Sequence, residues 1–395
     1  MPTFLKTNSS YNWFIPTNIV FGTGAIDKLG ENMPYGENAL IITSNGVSAK
    51  KSGALDKVIQ QLDELEIKHT IFSGVGANPT KEMVMEGAKI AKENNCDVIV
   101  AIGGGSVMDC AKAIATMATN EGDLWDYVQL GTGGQKIPEE LSLPLVCITL
   151  TSGTGSESDT GAVITNTETN EKTAFFGEHP MLAICDPNLT ISVNPKFTAY
   201  QGFDALFHSV EVFIANTANF ASDMVAKEAI KNVGGFLPRA VKDGNDLKAR
   251  ERVAFASSLS SFSMNVGSCT SEHSLEHAMS AYHPNLPHGA GLIMISVAYY
   301  SFFIEKGCCP DRFIKLAKML GNKQATKPED FIVELKRLQK ECGVDDLKMS
   351  DYGIKEEEFE KMANNAMDCM GLLFPNDPAE LSIEDCVEIY KKSYK

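Results

Sequence analysis
The chain has 395 residues, 44% apolar and 22% charged, which allows two or three domains with ample core and argues against disorder. Its net charge of −16 argues against a nucleic-acid or anionic-membrane surface, since phosphate binding needs clustered Lys and Arg. Ten cysteines without C-x-x-C spacing, and an opening MPTFLKTNSS without an apolar core, point to a reduced, cytoplasmic protein lacking a signal peptide.

Taken in chain order, short apolar strands are expected at Leu40–Thr43, His69–Phe72, Val98–Ile102 and Leu145–Leu150. Helical patterns at Pro79–Asn94 and Ser106–Thr119 alternate with them, the mark of a parallel sheet with crossovers. From Pro195 onward the patterns are almost all helical, and Thr198 reads as the N-cap of the first of these helices. LIMISVAYYSFFI at 292–304 is too short to span a bilayer and reads as a buried helix. KEEEFEK at 355–361 reads as a solvated helix face. The expected architecture is an α/β nucleotide-binding domain with a parallel, Rossmann-like sheet over 1–195, and an all-α domain over 196–395. A cleft between them is the expected ligand site.

Asp204, His208, His273 and His288 stand out chemically. Asp204 and His208 are four apart in a predicted helix, so carboxylate and imidazole share a face. Such a pair alone is as easily a surface ion pair. Four of the seven histidines, however, fall between His273 and His288, and neutral imidazoles are costly to bury together unless a metal uses their lone pairs. One carboxylate and three imidazoles make a complete mononuclear site, and such ligands suit Fe(II), Zn, Ni or Mn. A second feature is IGGGSVMDCAK, which reads as strand, glycine turn and helix. There Gly104, Gly105 and Ser106 would let a backbone approach a pyrophosphate at a helix start. Met108 stands where the G-x-G-x-x-G fingerprint needs its last glycine, so the turn alone is a weak signal.

GGGSVMDCAK, LTSGTGSESDTGAVIT, AICDPNLT, GFDALFHSVE and LPHGAG occur together in the order and rough spacing of the iron-containing (group III) alcohol dehydrogenases, which the chain resembles over nearly its whole length. YNWFIPTNIVFGTGA resembles that family's N-terminal β-hairpin. The resemblance implies metal ligands at Asp204, His208, His273 and His288. Counting from His288, a third ligand at His273 needs a one-residue insertion, whereas His277 would need a three-residue deletion. His277 then takes the family's second histidine position, near nicotinamide and substrate, as the candidate catalytic proton relay. His283 is either a pocket residue or a structural one.

By the same resemblance, cofactor contacts are expected at Ser44, Asn78, Gly104, Gly105, Ser106, Asp109, Thr151, Ser152, Thr154 and Lys172. Asp159 departs from the family's usual Thr. Ser44 stands where NAD-preferring members often carry Asp, so NADP is favoured over NAD, with Lys50 and Lys51 nearby. The implied function is an NAD(P)-dependent, Fe(2+)- or Zn(2+)-dependent alcohol dehydrogenase or aldehyde reductase. Its substrate would be a small primary alcohol, diol or aldehyde, and the chain a homo-oligomer, dimer or higher, without nucleic-acid or membrane partners. Glycerol dehydrogenase and maleylacetate reductase are the neighbouring alternatives. His273-Ser-Leu-Glu276-His277 is also a literal H-x-x-E-H, which would make a zinc peptidase with Glu276 as base.

Overall fold
A computed structural model describes residues 7–395, so the first residues of the opening segment, on which the signal-peptide reading rests, lie outside the described residues. The chain forms two compact units, one of Ile15–Val193 and one of Asn194–Lys395 with the described part of Met1–Phe14.

The first unit carries β1 (Asn18–Phe21), β2 (Asn38–Ser44), α1 (Ala54–Glu64), β3 (Lys68–Val75), α2 (Lys81–Glu93), β4 (Val98–Gly103), α3 (Gly105–Met117), β5 (Leu145–Thr149), β6 (Gly161–Asn166), β7 (Glu171–Phe176) and β8 (Leu182–Cys185). Six strands form one parallel sheet in the order β1-β8-β5-β4-β2-β3. The sequence VIVAIG of β4 is buried throughout. Its Ile99 and Ala101 join one core, while Val98, Val100 and Ile102 join the core on the opposite face. A strand covered on both faces has no polar side to show, so it reads as a continuous apolar run. The chain runs from β2 outward to β3 and then back across β2 to β4, so strand order reverses between β2 and β4. Their carboxyl ends flank the crevice where such sheets bind ligands.

Two expectations need correction here. YNWFIPTNIVFGTGA forms no hairpin: only Asn18–Phe21 is a strand, and it lies parallel to β8. The antiparallel hairpin of this unit is β6–β7, closed by Thr167–Asn170 with Asn170 at φ 55°. Asn tolerates that left-handed conformation better than most residues.

The second unit is built from α4 (Pro195–Ile214), α5 (Phe220–Lys242), α6 (Leu247–Val266), α7 (Glu272–Tyr282), α8 (His288–Glu305), α9 (Pro310–Leu320), α10 (Glu329–Glu341), α11 (Phe359–Met370) and α12 (Ile383–Ser393). Asn194, not Thr198, caps α4: its Oδ1 accepts from the Phe197 N–H at 3.0 Å, and Pro195 fills the first helical position, which needs no donor. Thr198 is buried instead, its hydroxyl taking the Arg250 guanidinium at 2.8 Å. Residues 198–200 and 202–214 of α4 are buried, so this helix is wrapped on all sides and its polar residues face other side chains. No helix among the described residues is long and apolar enough to cross a membrane.

None of the ten cysteines is in a disulfide. Burial pushes the thiols of Cys309, Cys342 and Cys386 up to about 12. The thiolate is the nucleophile, so alkylation of the native protein at about pH 8 should leave these three unmodified. Only half-buried Cys96 is positioned to react early. Peptide mapping before and after denaturation checks this, and labelling of the three in folded protein would contradict it.

Candidate metal centre and dinucleotide crevice
In the helical unit the four residues read as ligands converge on one atom. Asp204 Oδ1 lies 3.4 Å from His208 Nδ1, 3.5 Å from His273 Nε2 and 3.5 Å from His288 Nε2. Helix α4 supplies Asp204 and His208 one turn apart, α7 supplies His273 from its first turn, and α8 begins with His288. The His208 and His273 rings stack with centroids 4.2 Å apart. Burial works against a charge on Asp204, yet His208, His273 and His288 together hold its carboxyl well below the usual range.

Two carboxylates absent from the expected set orient these rings. Glu211, seven residues after Asp204 on the same face of α4, accepts from His273 Nδ1, and Glu276 accepts from His288 Nδ1. Both glutamates are fully buried. An Nδ1–H given to a carboxylate fixes the tautomer that turns the Nε2 lone pair inward, the arrangement found behind metal-bound histidines. Thr270 steadies Glu211 by donating to its Oε1 at 3.2 Å. The buried Asp204 Oδ1 and His273 Nε2 have no hydrogen-bond partner. Buried polar atoms are seldom left so, and a divalent cation among them satisfies both. The donor set therefore fits a metal ion. The one signal in the sequence that could have found Glu211 is its spacing, seven residues after Asp204 in the same predicted helix.

His277 is buried one turn beyond His273, with ring centroids 6.2 Å from His273 and 5.3 Å from His288. His283 lies away from this cluster, its Nε2 3.2 Å from Glu358. Glu276 is bound to His288 rather than poised as a general base, so the H-x-x-E-H reading lacks the free carboxylate that a zinc peptidase requires.

In the α/β unit the residues read as cofactor contacts cluster at the carboxyl ends of adjacent strands: Ser44 ends β2, Asn78 follows β3, Gly104, Gly105 and Ser106 follow β4, and Thr151, Ser152 and Thr154 follow β5. Gly104 precedes α3 in an extended conformation, and close approach explains both of its last glycines. A Cβ on Gly104 would sit 2.7 Å from Thr151 Cγ2, and one on Gly105 2.6 Å from Thr154 Cγ2. Lys172 on β7 reaches Asn78 Oδ1 at 3.0 Å, where Asn78 adopts φ 52°. Ser44 Oγ meets Ser48 Oγ at 3.1 Å at the crevice rim.

Asp109 behaves differently from its neighbours at the turn. It faces inward, its Oδ1 accepting from Ser156 at 2.5 Å and its Oδ2 from the Val163 N–H at 2.9 Å. Beside it Lys112, buried on α3, donates to Ser156 Oγ at 2.8 Å, Asp159 Oδ1 at 2.6 Å and the Gly161 carbonyl at 2.6 Å. Asp159, the departure from the family's pattern, is thus the counter-ion of a buried lysine. Burial lifts the Asp109 carboxyl to about 6 although Lys112 and Ser156 pull it down. Burial likewise opposes the charge of Lys112, but Asp159 and Asp109 raise it above its ordinary value.

Comparison with known proteins bears on both halves. The family profile described as iron-containing alcohol dehydrogenase matches residues 16–187, and that of the C-terminal part of the Fe-containing alcohol dehydrogenase family matches 198–394. A 1,3-propanediol dehydrogenase of Klebsiella pneumoniae is 33% identical over 97% of this chain and 99% of its own. An NAD-dependent methanol dehydrogenase of Bacillus methanolicus is 32% identical over 97% of this chain and 99% of its own. The crystal structure of an archaeal halo-thermophilic alcohol dehydrogenase from a Red Sea brine pool superposes with a TM-score of 0.93, at 33% identity, over 98% of this chain and 100% of that one. With both halves matched in register, the chain belongs to the iron-containing alcohol dehydrogenase family, and is an oxidoreductase acting on alcohols with a bound metal and a nicotinamide dinucleotide.

Proposed function
We propose that Asp204, His208, His273 and His288 hold Fe(II), or zinc in its place, and that the enzyme interconverts a small primary alcohol or diol with its aldehyde. The observation that supports this most directly is the convergence of three imidazoles on Asp204 Oδ1, two of them backed by buried glutamates. A bound divalent ion supplies Lewis acidity toward the substrate oxygen. Glu211 and Glu276 keep His273 and His288 in the tautomer that leaves Nε2 basic. His277 accepts the hydroxyl proton at a ring nitrogen during oxidation and returns it during reduction, a task suited to an imidazole. Gly104, Gly105 and Ser106 bind the dinucleotide phosphates through backbone N–H groups at the start of α3, with Asn78, Lys172, Thr151, Ser152 and Thr154 around them.

The domain boundary falls near residue 195 in this reading. We place the enzyme in the cytoplasm, consistent with ten cysteines outside any disulfide, and read it as a homo-oligomer, which sedimentation tests. The related proteins act, by name, on 1,3-propanediol, methanol and butanol, which supports a small alcohol as substrate.

Ser44 carries the choice of dinucleotide. Without a carboxylate at the end of β2 nothing there repels a 2′-phosphate, so kcat/KM with NADP(H) should exceed that with NAD(H), and Ser44→Asp should reverse the order. Assays of alcohols, diols and aldehydes with both dinucleotides, after metal reconstitution, decide substrate and cofactor together. A wild-type preference for NAD(H) of about tenfold, or 1.4 kcal/mol, rejects the NADP assignment.

A further inference from the structure
Residues 267–271 carry the chain from α6 to α7 directly beside the metal ligands. Gly267 allows this passage, because a Cβ there would meet Val212 Cγ1 of α4 at 2.8 Å. The following residues are clamped from one side. Asn376 Nδ2 donates to Ser268 Oγ at 2.8 Å and to the Cys269 carbonyl at 3.1 Å, and Asp377 accepts from the Ser271 N–H at 2.9 Å and hydroxyl at 2.7 Å. Cys269 is thereby held, buried, where its Sγ and one nitrogen each of His208 and His273 all lie within 4.8 Å of one another.

Ligand atoms at about 2.1 Å (N) and 2.3 Å (S) from a tetrahedral ion stand roughly 3.5 Å apart, so small side-chain rotations let these three close on one ion. His273 points to a ligand independently of the cysteine, because it is only 4% exposed and its Nε2 has no hydrogen-bond partner. The same histidine belongs to the trio with Asp204 and His288, so the two sets share it and cannot both be filled. The sets differ in hardness. Asp204 offers a hard oxygen, whereas Cys269 offers a soft sulfur that favours zinc over iron.

We propose that the centre has a second set of ligands, His208, His273 and Cys269, which takes soft divalent ions such as Zn2+ in place of the set closed by Asp204 and His288. This rests on the ligand assignment proposed above. As the metal–sulfur bond forms, the Cys269 thiol releases its proton to solvent and no electron is transferred. Zinc held by this second set draws two histidines away from Asp204, so any loss of turnover on adding zinc to the iron-loaded enzyme should depend on Cys269, which the set closed by Asp204 and His288 does not use.

The test uses the full-length protein stripped of metal and titrated with Co2+, Zn2+ and Fe2+. Wild type should develop a near-ultraviolet sulfur-to-cobalt charge-transfer band that added Zn2+ removes. Asp204→Asn should keep that band, and Cys269→Ser should lose it. In Cys269→Ser, zinc affinity should drop about tenfold or more while iron(II) affinity changes less than about threefold. Cobalt binding by wild type without a sulfur band, or a band that survives Cys269→Ser, overturns the thiolate set alone. Wild type that binds none of the three ions overturns both this inference and the ligand assignment beneath it.

Discussion

His273→Ala should lose bound metal and turnover together, with kcat/KM down by about a thousandfold or more, while His277→Ala should keep its metal and lose rate. The asymmetry follows from geometry. His273 Nε2 faces Asp204 Oδ1 at 3.5 Å with Glu211 behind its Nδ1, whereas His277 stands a turn away as a neighbour of His288. Removing a general acid–base group typically costs about 10²–10⁴ in rate without emptying a metal site. Elemental analysis and steady-state kinetics on both variants, with a pH profile for His277→Ala, separate the two roles. Metal-replete His273→Ala beside metal-free His277→Ala would reverse the assignment. Chelation of wild type should abolish turnover yet leave dinucleotide binding within about twofold, because in the proposed reading backbone groups at the start of α3, and not the metal, hold the phosphates.

Lys112→Met should be the most destabilising single change in the α/β unit, by about 3 to 5 kcal/mol. Lys112 is 1% exposed, and its ammonium is the cation between Asp159 and the neighbouring Asp109. Without it two half-buried carboxylates lose their counter-ion. The loss should also depend on pH. Asp109 already has a folded-state value raised to about 6 by burial, so the folded protein binds more protons than the unfolded chain between the ordinary carboxylate range and pH 6, and stability falls as pH rises through that window. Removing Lys112 raises that value further and extends the fall upward, so the variant should be weaker relative to wild type at pH 8 than at pH 5. Urea unfolding at both pH values measures this, and an equal deficit would show that the charge on Asp109 is not involved. Combining Lys112→Met with Asp159→Leu should recover part of the loss, because the pair is then removed as a unit.

The two features differ in how legible they were. Strand β4, with its glycine turn and α3, could be read from residue types because a strand buried on both faces must be apolar and a turn that approaches other side chains must be glycine. The hairpin β6–β7 escaped because its strands are buried on both sides over most of their length, which erases the alternation that marks a hairpin. Pro195 already marked the first position of α4, so Asn194 was the better cap to expect than Thr198. In the helical unit, ligand-type residues could be picked out by clustering, but their supports could not. Glu211 lies 62 residues from the histidine it orients, and nothing local to either announces the pairing. The partner of Lys112 was hidden in the same way, since Asp159 is 47 residues distant and showed only as a departure from the family's usual residue.

The glutamates behind His273 and His288 also set an electrical balance. With Asp204 they place three carboxylates in one buried region, so a divalent ion held by neutral imidazoles would leave one negative charge in excess and a trivalent ion would leave none. At low dielectric that difference would be large, and it would favour the trivalent over the divalent state of an ion held by the proposed ligands. Iron held there would therefore stay inside the protein on exposure to air, and recovery would call for an electron and not a new metal.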